Sequence, residues 1–258
     1  MKYLVISPGA MGFFMYLGVV SHLKKDEHLH DLEEISGASA GAILGLLYCF
    51  TKGDVTRILD YALDVPVKQI MKPNIKSLLT NYGLIPSSKI RKVFGDACTR
   101  FTGRPDMTFR DLYEYFPIKL HVSAYNVQFM KTDYFSVDTT PSMSVLDAVC
   151  SSIAIPFLIA STNGYIDGGS AEVVPGAPFL GREDVLTILL EWGGPMEIKD
   201  LKTYTMSILS STMKLRATYD FPTIAIPPGD ENVYDFSASN EAKLKMFLKG
   251  YEQARRDL

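Results

Sequence analysis

The fold of this chain follows from one stretch of its sequence, Ile35-Ser36-Gly37-Ala38-Ser39-Ala40-Gly41-Ala42-Ile43-Leu44-Gly45-Leu46-Leu47. Its pattern predicts the end of a strand, a tight turn and then an apolar helix. The centre of the stretch matches G-x-S-x-G, the pattern of a nucleophile elbow, in which a serine lies on a strained turn between a strand and a helix. Gly37 and Gly41 permit close packing there, and the start of the helix would direct its positive end towards an oxyanion at Ser39. Because small-residue turns are common, the pattern alone does not establish catalysis.

The composition is that of an ordinary globular protein. The chain has 258 residues, of which 47% are hydrophobic and 21% charged, so it can bury a sizeable core. Its formal net charge of −3 does not favour nucleic-acid binding, and we expect no such partner. Cys49, Cys98 and Cys150 have neither a pairing pattern nor the spacing of a metal site. We expect buried, reduced thiols, as in an intracellular, cytoplasmic protein.

Two runs of the sequence, residues 3–23 and 35–51, contain no Asp, Glu, Lys or Arg. Pro8, Gly9 and Gly12 interrupt the first run, so a buried strand, a turn and a buried helix explain it better than a signal peptide or an anchor. Serines and glycines make the second run a poor membrane span. We therefore predict no signal peptide and no transmembrane helix.

Strands and helices alternate along the chain. We predict strands at 3–6, 119–125, 133–137, 165–166 and 185–191, and helices at 13–25, 39–51, 54–63, 86–99, 144–151, near 198–214 and from 239. No linker or repeat divides the sequence, which predicts a single domain over residues 1–258. The alternation favours an α/β fold, arranged as three α/β/α layers around a mostly parallel sheet. Residues 54–117, rich in short helices, are interpreted as a cover over the site.

A serine nucleophile needs a base, and the positions of the histidines limit what that base can be. In α/β-hydrolases the triad follows the chain order serine, acid, histidine. Three of the four histidines precede Ser39 and none follows Asp167, which excludes that order with Asp167 as the acid. The fourth, His121, lies in an alternating strand, which favours a cross-strand or surface role. A carboxylate that acts directly on Ser39 is the alternative.

Asp167 is the candidate for this carboxylate. It ends a short apolar strand, so we expect it at the carboxyl edge of the sheet, where the turn at Ser39 also lies. Gly168 and Gly169 follow it and permit a sharp turn. A simple turn remains the alternative interpretation of this Asp-Gly-Gly sequence.

Three motifs resemble, in their order, those of the patatin-like phospholipase family: Gly37-Ala38-Ser39-Ala40-Gly41, Ser151-Ser152-Ile153-Ala154-Ile155-Pro156-Phe157 and Asp167-Gly168-Gly169. The resemblance covers roughly residues 3–170. It implies a patatin-like fold that hydrolyses fatty-acyl esters of phospholipids and neutral lipids. It also implies a Ser39–Asp167 dyad that works with no histidine, metal or other cofactor. We further expect a peripheral contact with the membrane that presents the phospholipid.

The loop after the first strand departs from the family's pattern. The family has G-G-G-x-[KR]-G, whose amides form the oxyanion hole, whereas this chain has Pro8-Gly9-Ala10-Met11-Gly12-Phe13. Pro8 has no amide hydrogen, and the loop contains no Lys or Arg. The resemblance implies that an oxyanion would be held by the amides of Gly9, Ala10, Met11 and, after the nucleophile, Ala40.

The sequence leaves three functions open. The first is a phospholipase A-type hydrolase, A2-like, that cleaves phospholipids through an acyl-enzyme on Ser39. The second is a lipid-binding protein of the same fold with weakened catalysis. Pro8 and the missing basic residue suggest it, because losing one oxyanion donor lowers a rate roughly 100- to 1000-fold. The third is a carboxylesterase for small soluble esters.

Overall fold

A mixed β-sheet forms the centre of the molecule. The structure, a computed structural model, describes residues 1–161, 163–191, 197–200, 203–204, 207–208, 219–227 and 229–258. The strands are β1 (Tyr3–Ile6), β2 (Glu34–Ala38), β3 (Gly83–Ile85), β4 (Lys119–Asn126), β5 (Lys131–Phe135), β6 (Phe157–Ile159), β7 (Tyr165–Asp167), β8 (Val185–Leu190) and β9 (Thr223–Ile226). In these ranges, the central sheet has the order β5-β4-β2-β1-β8-β9, and β7 also pairs with β4. Neighbouring strands along β4-β2-β1-β8-β9 are parallel, whereas β5 and β7 run antiparallel to β4. The predicted α/β class with a mostly parallel sheet is confirmed.

Helices connect most of the strands. Those in the described part of the chain are α1 (Phe13–Lys25), α2 (Ala40–Phe50), α3 (Val55–Asp64), α4 (Val67–Ile70), α5 (Ile75–Asn81), α6 (Ser87–Thr102), α7 (Phe109–Tyr115), α8 (Val145–Ser152) and α9 (Asn240–Asp257). Side-chain caps fix several helix starts: Thr108 forms a capping box with Asp111 at α7, and Ser144 caps α8. The predicted helix near 198–214 falls largely outside the described residues. Within the ranges given above, no helix has both the length and the hydrophobicity to cross a bilayer.

Both faces of the sheet are covered, which explains why β1 is apolar throughout. Leu4 and Ile6 belong to the larger hydrophobic core, whereas Tyr3 and Val5 belong to a second cluster that contains Phe179. Successive side chains of a strand point to opposite faces, so these two sets lie on opposite sides of the sheet. Helices α2 and α8 pack on the side of the larger core.

The last helix, α9, packs closely against α1. A Cβ atom at Gly18 of α1 would collide with the carbonyl oxygen of Phe247, and one at Gly250 of α9 would collide with that of Met15. These glycines let the two backbones approach each other. Helix α9 thereby supports α1, the helix that follows the loop after β1.

Residues 83–85 were not predicted to form a strand, because the sequence of residues 81–86 favours a turn. The structure has β3 there, and it pairs in parallel with β6 through Gly83 with Phe157 and Ile85 with Ile159. The partner strand lies far along the sequence, so the local turn signal of Asn81-Tyr82-Gly83 obscured it. The three cysteines are buried and unpaired, as predicted.

Candidate active site

Ser39 lies on the turn between β2 and α2, with φ of 53° and ψ of −119°. A positive φ is uncommon for a residue other than glycine, and the surrounding structure must hold the strain that it stores. The glycines of the motif make room for the turn. A Cβ at Gly41 would collide with the carbonyl oxygen of Ile6 in β1, and one at Gly37 would collide with the backbone of Gly41. Ser39 therefore has the strained strand-to-helix geometry of a nucleophile elbow.

Asp167, at the end of β7, lies on the same edge of β4 as β2. The strand β5 occupies one edge of β4, and β2 and β7 share the other edge, one after the other. Ala38 pairs with Ser123, and Asp167 pairs with the next residue, Ala124. The residue before Ser39 and the carboxylate residue thus occupy consecutive positions along β4. The structure brings together the two residues that the sequence singled out.

The end of α8 contacts both of these residues. The Ser152 hydroxyl accepts a hydrogen bond from the Ser39 amide at 3.0 Å and donates one to the Ser123 carbonyl at 2.6 Å. Two residues later, the Ala154 carbonyl accepts a hydrogen bond from the Asp167 amide at 3.0 Å. Ser152 had no predicted role, because its motif was identified only by its resemblance to the family. Its position between the other two motifs was the available signal.

The carboxylate of Asp167 is oriented by the turn that follows it. Its Oδ1 accepts a hydrogen bond from the Gly169 amide at 2.8 Å. A Cβ at Gly168 would collide with the Ser123 carbonyl oxygen, and one at Gly169 would lie 2.7 Å from the Pro8 ring. The aspartate turn therefore packs against both β4 and the loop after β1, and this packing leaves room only for glycine.

The loop after β1 offers backbone amides beside Ser39. Within the described ranges, no group accepts a hydrogen bond from the amides of Gly9, Ala10 or Ala40, and Ala40 begins α2. The Met11 amide instead donates to the Val233 carbonyl at 2.9 Å. This contact corrects the prediction for Met11, because an amide bonded to a carbonyl is not available to an oxyanion. Ala10 has φ of 48°, a value that strains any residue with a Cβ.

The Tyr16 hydroxyl forms hydrogen bonds at the start of this loop. It donates to the Pro8 carbonyl at 2.8 Å and lies 2.7 Å from the Ser7 hydroxyl, which accepts a hydrogen bond from the Leu190 amide at 3.2 Å. Burial raises the pKa of Tyr16, so the phenol stays neutral. Nothing in the sequence distinguished Tyr16 from its apolar neighbours, which line the cavity or fill the core.

An apolar cavity of about 180 Å³ opens beside Ser39. Phe13 and Phe14 at the start of α1 form one wall, and Ile153 and Ile155 after α8 form another. Residues of α3, α4 and α6 complete the lining, so part of the segment 54–117 covers the cavity. Such a lining suits a hydrocarbon chain with one polar group at its end.

His121 contacts a carboxylate at the other end of β2. Its Nε2 lies 2.7 Å from Glu34 Oε2, and its ring packs edge-on against Phe179 in the second core cluster. The hydrogen bond from His121 lowers the pKa of Glu34 from its ordinary value. Glu34 is the first residue of β2, whereas Ser39 follows the last. His121 therefore has the cross-strand role that its sequence pattern favoured.

Two solved structures show the same fold. The chain aligns over 99% of its length with VipD from Legionella pneumophila (TM-score 0.63, 19% identity, 66% of VipD). It aligns over 99% of its length with the type III effector ExoU of Pseudomonas aeruginosa (TM-score 0.57, 16% identity, 52% of ExoU). At these identities the likeness shows the fold alone.

Sequence comparison extends the match beyond the fold. A protein of Invertebrate iridescent virus 6 named "Probable lipid hydrolase 463L" is 28% identical over 177 residues, which are 65% of this chain and 59% of the viral protein. The chain thus matches little more than half the length of that relative. The model of the patatin-like phospholipase family matches residues 4–180. This match confirms the resemblance seen in the three motifs, and the chain belongs to the patatin-like phospholipase family.

Proposed function

We propose that this chain is a lipid acyl hydrolase of the phospholipase A type, with Ser39 as the nucleophile and Asp167 as the base. One observation carries the proposal: a strained serine lines an apolar cavity at the sheet edge that Asp167 also reaches. Family membership supports a lipid ester as the substrate class. The name of the viral relative, a probable lipid hydrolase, supports the same class.

In the first half of the reaction, Ser39 Oγ attacks the carbonyl carbon of the ester while the Asp167 carboxylate accepts its proton. The carbonyl electron pair moves to the oxygen, and the amides of Gly9, Ala10 and Ala40 stabilise that oxyanion. The ester C–O bond then breaks as the electron pair returns. The leaving alcohol takes the proton from Asp167, and the acyl group remains on Ser39.

In the second half, water attacks the acyl-enzyme and gives its proton to Asp167. The tetrahedral intermediate collapses, Ser39 recovers the proton, and the fatty acid leaves. Asp167 thus acts as base and then acid in each half, which a single carboxylate can do when it stays beside the reacting oxygen. The hydrogen bond from Gly169 to Oδ1 supports that placement.

The cavity supports a fatty-acyl chain as the bound part of the substrate. Each buried methylene contributes about 0.8 kcal/mol to binding, so hydrophobic walls favour long chains. A phospholipid would place its headgroup outside the cavity. The proposal also specifies that cleavage of the phospholipid is A2-like. Because such a substrate lies in a bilayer, the proposal includes a peripheral membrane contact.

The loop after β1 favours a second candidate, a lipid-binding protein with weakened catalysis. Pro8 has no amide hydrogen to donate, and the Met11 amide already donates a hydrogen bond to the Val233 carbonyl. The two candidates differ in whether Ser39 reacts. A fluorophosphonate probe that labels the wild-type protein and not Ser39→Ala supports the hydrolase, whereas no labelling of folded protein supports the binding function.

The direct test is fatty-acid release from phosphatidylcholine vesicles, with products identified by mass spectrometry. We expect Ser39→Ala and Asp167→Asn to reduce release to background. Asn at position 167 keeps an oxygen that can accept the hydrogen bond from the Gly169 amide, so this variant tests the negative charge of Asp167. Ser88→Ala and Asp96→Asn, both exposed on α6, are the matched controls. Retained activity in either folded dyad variant refutes the dyad. An ester-hydrolysis rate that does not depend on the presence of vesicles indicates a small-ester esterase.

A further inference from the structure

The helix α5 presents apolar side chains to solvent. Ile75 and Leu79 are four residues apart on α5, which places them on one side of the helix, and Tyr82 follows the end of α5. Their exposed fractions are 71%, 77% and 73%, and Phe157 at the start of β6 is 60% exposed. We call these four residues the apolar face. Exposed apolar side chains that cluster in this way mark an interaction site.

The backbone holds two of these residues next to each other. Phe157 pairs with Gly83, the residue after Tyr82. Tyr82 and Phe157 have φ of 60° and 64°, in the left-handed region that residues other than glycine rarely adopt. Such positions normally carry glycine or asparagine. Here they carry aromatic rings that project into solvent, and the core gains nothing from them.

The chain around this face is basic. Residues 65–95 contain six Lys or Arg residues and no Asp or Glu, although the whole chain has a net charge of −3. Arg91 is paired with Asp106 and Asp147, and Asp64 and Asp96 lie just outside the segment. The lysines of the segment are exposed; they are Lys68, Lys72, Lys76, Lys89 and Lys92.

The apolar face lies close in the sequence to residues that line the Ser39 cavity. Ile70 and Met71 line the cavity shortly before α5 begins, and Ile155 and Ile159 line it on either side of Phe157. We propose that the apolar face and its lysines dock on the surface of an anionic phospholipid bilayer. Docking there would bring the cavity to the lipids, and this inference rests on the proposed function.

Charge decides between a bilayer and a second copy of this chain. A symmetric dimer through this face would bring one set of lysines against the other, which repels. An anionic bilayer offers hydrocarbon for the four apolar side chains and negative headgroups for the lysines. The match of both features favours the bilayer.

The test is vesicle flotation of the Ser39→Ala chain, which binds without turnover. The vesicles contain phosphatidylcholine alone or with phosphatidylserine. We expect phosphatidylserine to increase binding and added salt to weaken it. Leu79→Ser with Phe157→Asn should weaken binding roughly tenfold or more, and each of Lys72→Ala and Lys76→Ala about fivefold. Asn suits the positive φ at position 157, so the fold should survive.

The matched control is Leu180→Ser with Leu248→Ser, which are 61% and 58% exposed on other surfaces. Binding equal to the parent in the Leu79/Phe157 variant overturns the inference. So does a dimer, seen by sedimentation, that this variant dissociates. Hydrolysis of a short soluble ester by the same variant, with Ser39 intact, should be unchanged. If the Ser39 protein hydrolyses nothing yet Ser39→Ala binds vesicles through this face, the proposed function fails and the docking inference stands.

Discussion

Replacing Ser152 by alanine would test the contact that holds the strained turn at Ser39. The Ser152 hydroxyl accepts a hydrogen bond from the Ser39 amide and donates one to the Ser123 carbonyl, and all three residues are buried. Alanine removes the acceptor. The Ser39 amide would then be buried without a partner, next to a backbone that is already strained.

A buried donor left without an acceptor costs about 1–3 kcal/mol. For a chain of this size, each kcal/mol lowers Tm by about 2–4 °C. We therefore expect Ser152→Ala to unfold several degrees lower in a thermal melt followed by circular dichroism. We also expect kcat for vesicle hydrolysis to fall about tenfold or more, with KM unchanged, because the cavity lining is not altered.

Ser151→Ala is the control for this prediction. Ser151 is equally buried, but its hydroxyl donates to the Asp147 carbonyl one turn back in α8 and has no contact with Ser39. We expect its Tm to fall by no more than a few degrees and its kcat to stay at the wild-type value. If the two variants have the same Tm and the same kcat, the Ser152 contact does not hold the nucleophile and the reasoning is wrong.

Three further changes give measurable results. Tyr16→Phe removes the hydrogen bond to the Pro8 carbonyl, worth about 1 kcal/mol, so kcat should fall roughly fivefold with KM unchanged in the vesicle assay. Ala10→Gly relieves strain at φ of 48°, and Tm should stay the same or rise. Glu34→Gln should flatten the loss of stability in acid, measured by urea unfolding from about pH 3 to about pH 6. The hydrogen bond to His121 lowers the folded-state pKa of Glu34, so its stabilisation is present above the ordinary value of 4.5 and is lost as the pH falls through the lower folded value.

Each of these predictions has a result that contradicts it. A change in KM rather than kcat would place Tyr16 in substrate binding instead of loop support. A lower Tm for Ala10→Gly, similar to that of Ala148→Gly inside α8, would mean that position 10 stores no strain. If Glu34→Gln loses as much stability in acid as the wild type, the pair with His121 does not contribute to the pH dependence of stability.

Local patterns in the sequence predicted the elements around Ser39 well. The continuous apolar run of Tyr3–Ile6 gave β1 with its observed bounds, because a strand covered on both faces needs no alternation. The glycines around Ser39 indicated the turn, since no larger residue fits between it and β1. Asp167 was singled out because it ends an apolar strand and two glycines follow it.

The parts that the sequence did not predict depend on contacts between distant residues. The Met11 amide bonds to Val233, and no local pattern links these two positions. The role of Ser152 follows from the place where α8 ends relative to the turn at Ser39. The strand β3 depends on a partner, Phe157, whose own backbone conformation only the folded chain explains.

The packing of α9 against α1 has a consequence for the time at which the candidate site receives its supports during synthesis. The loop that contains Met11 is translated well before its partner Val233 and the supporting helix α9. Synthesis proceeds from the N-terminus, so a growing chain carries Ser39 long before that loop has its supports. Under the proposed function, a ribosome-bound chain would be unable to attack lipids, and hydrolysis would begin only after α9 has emerged and docked.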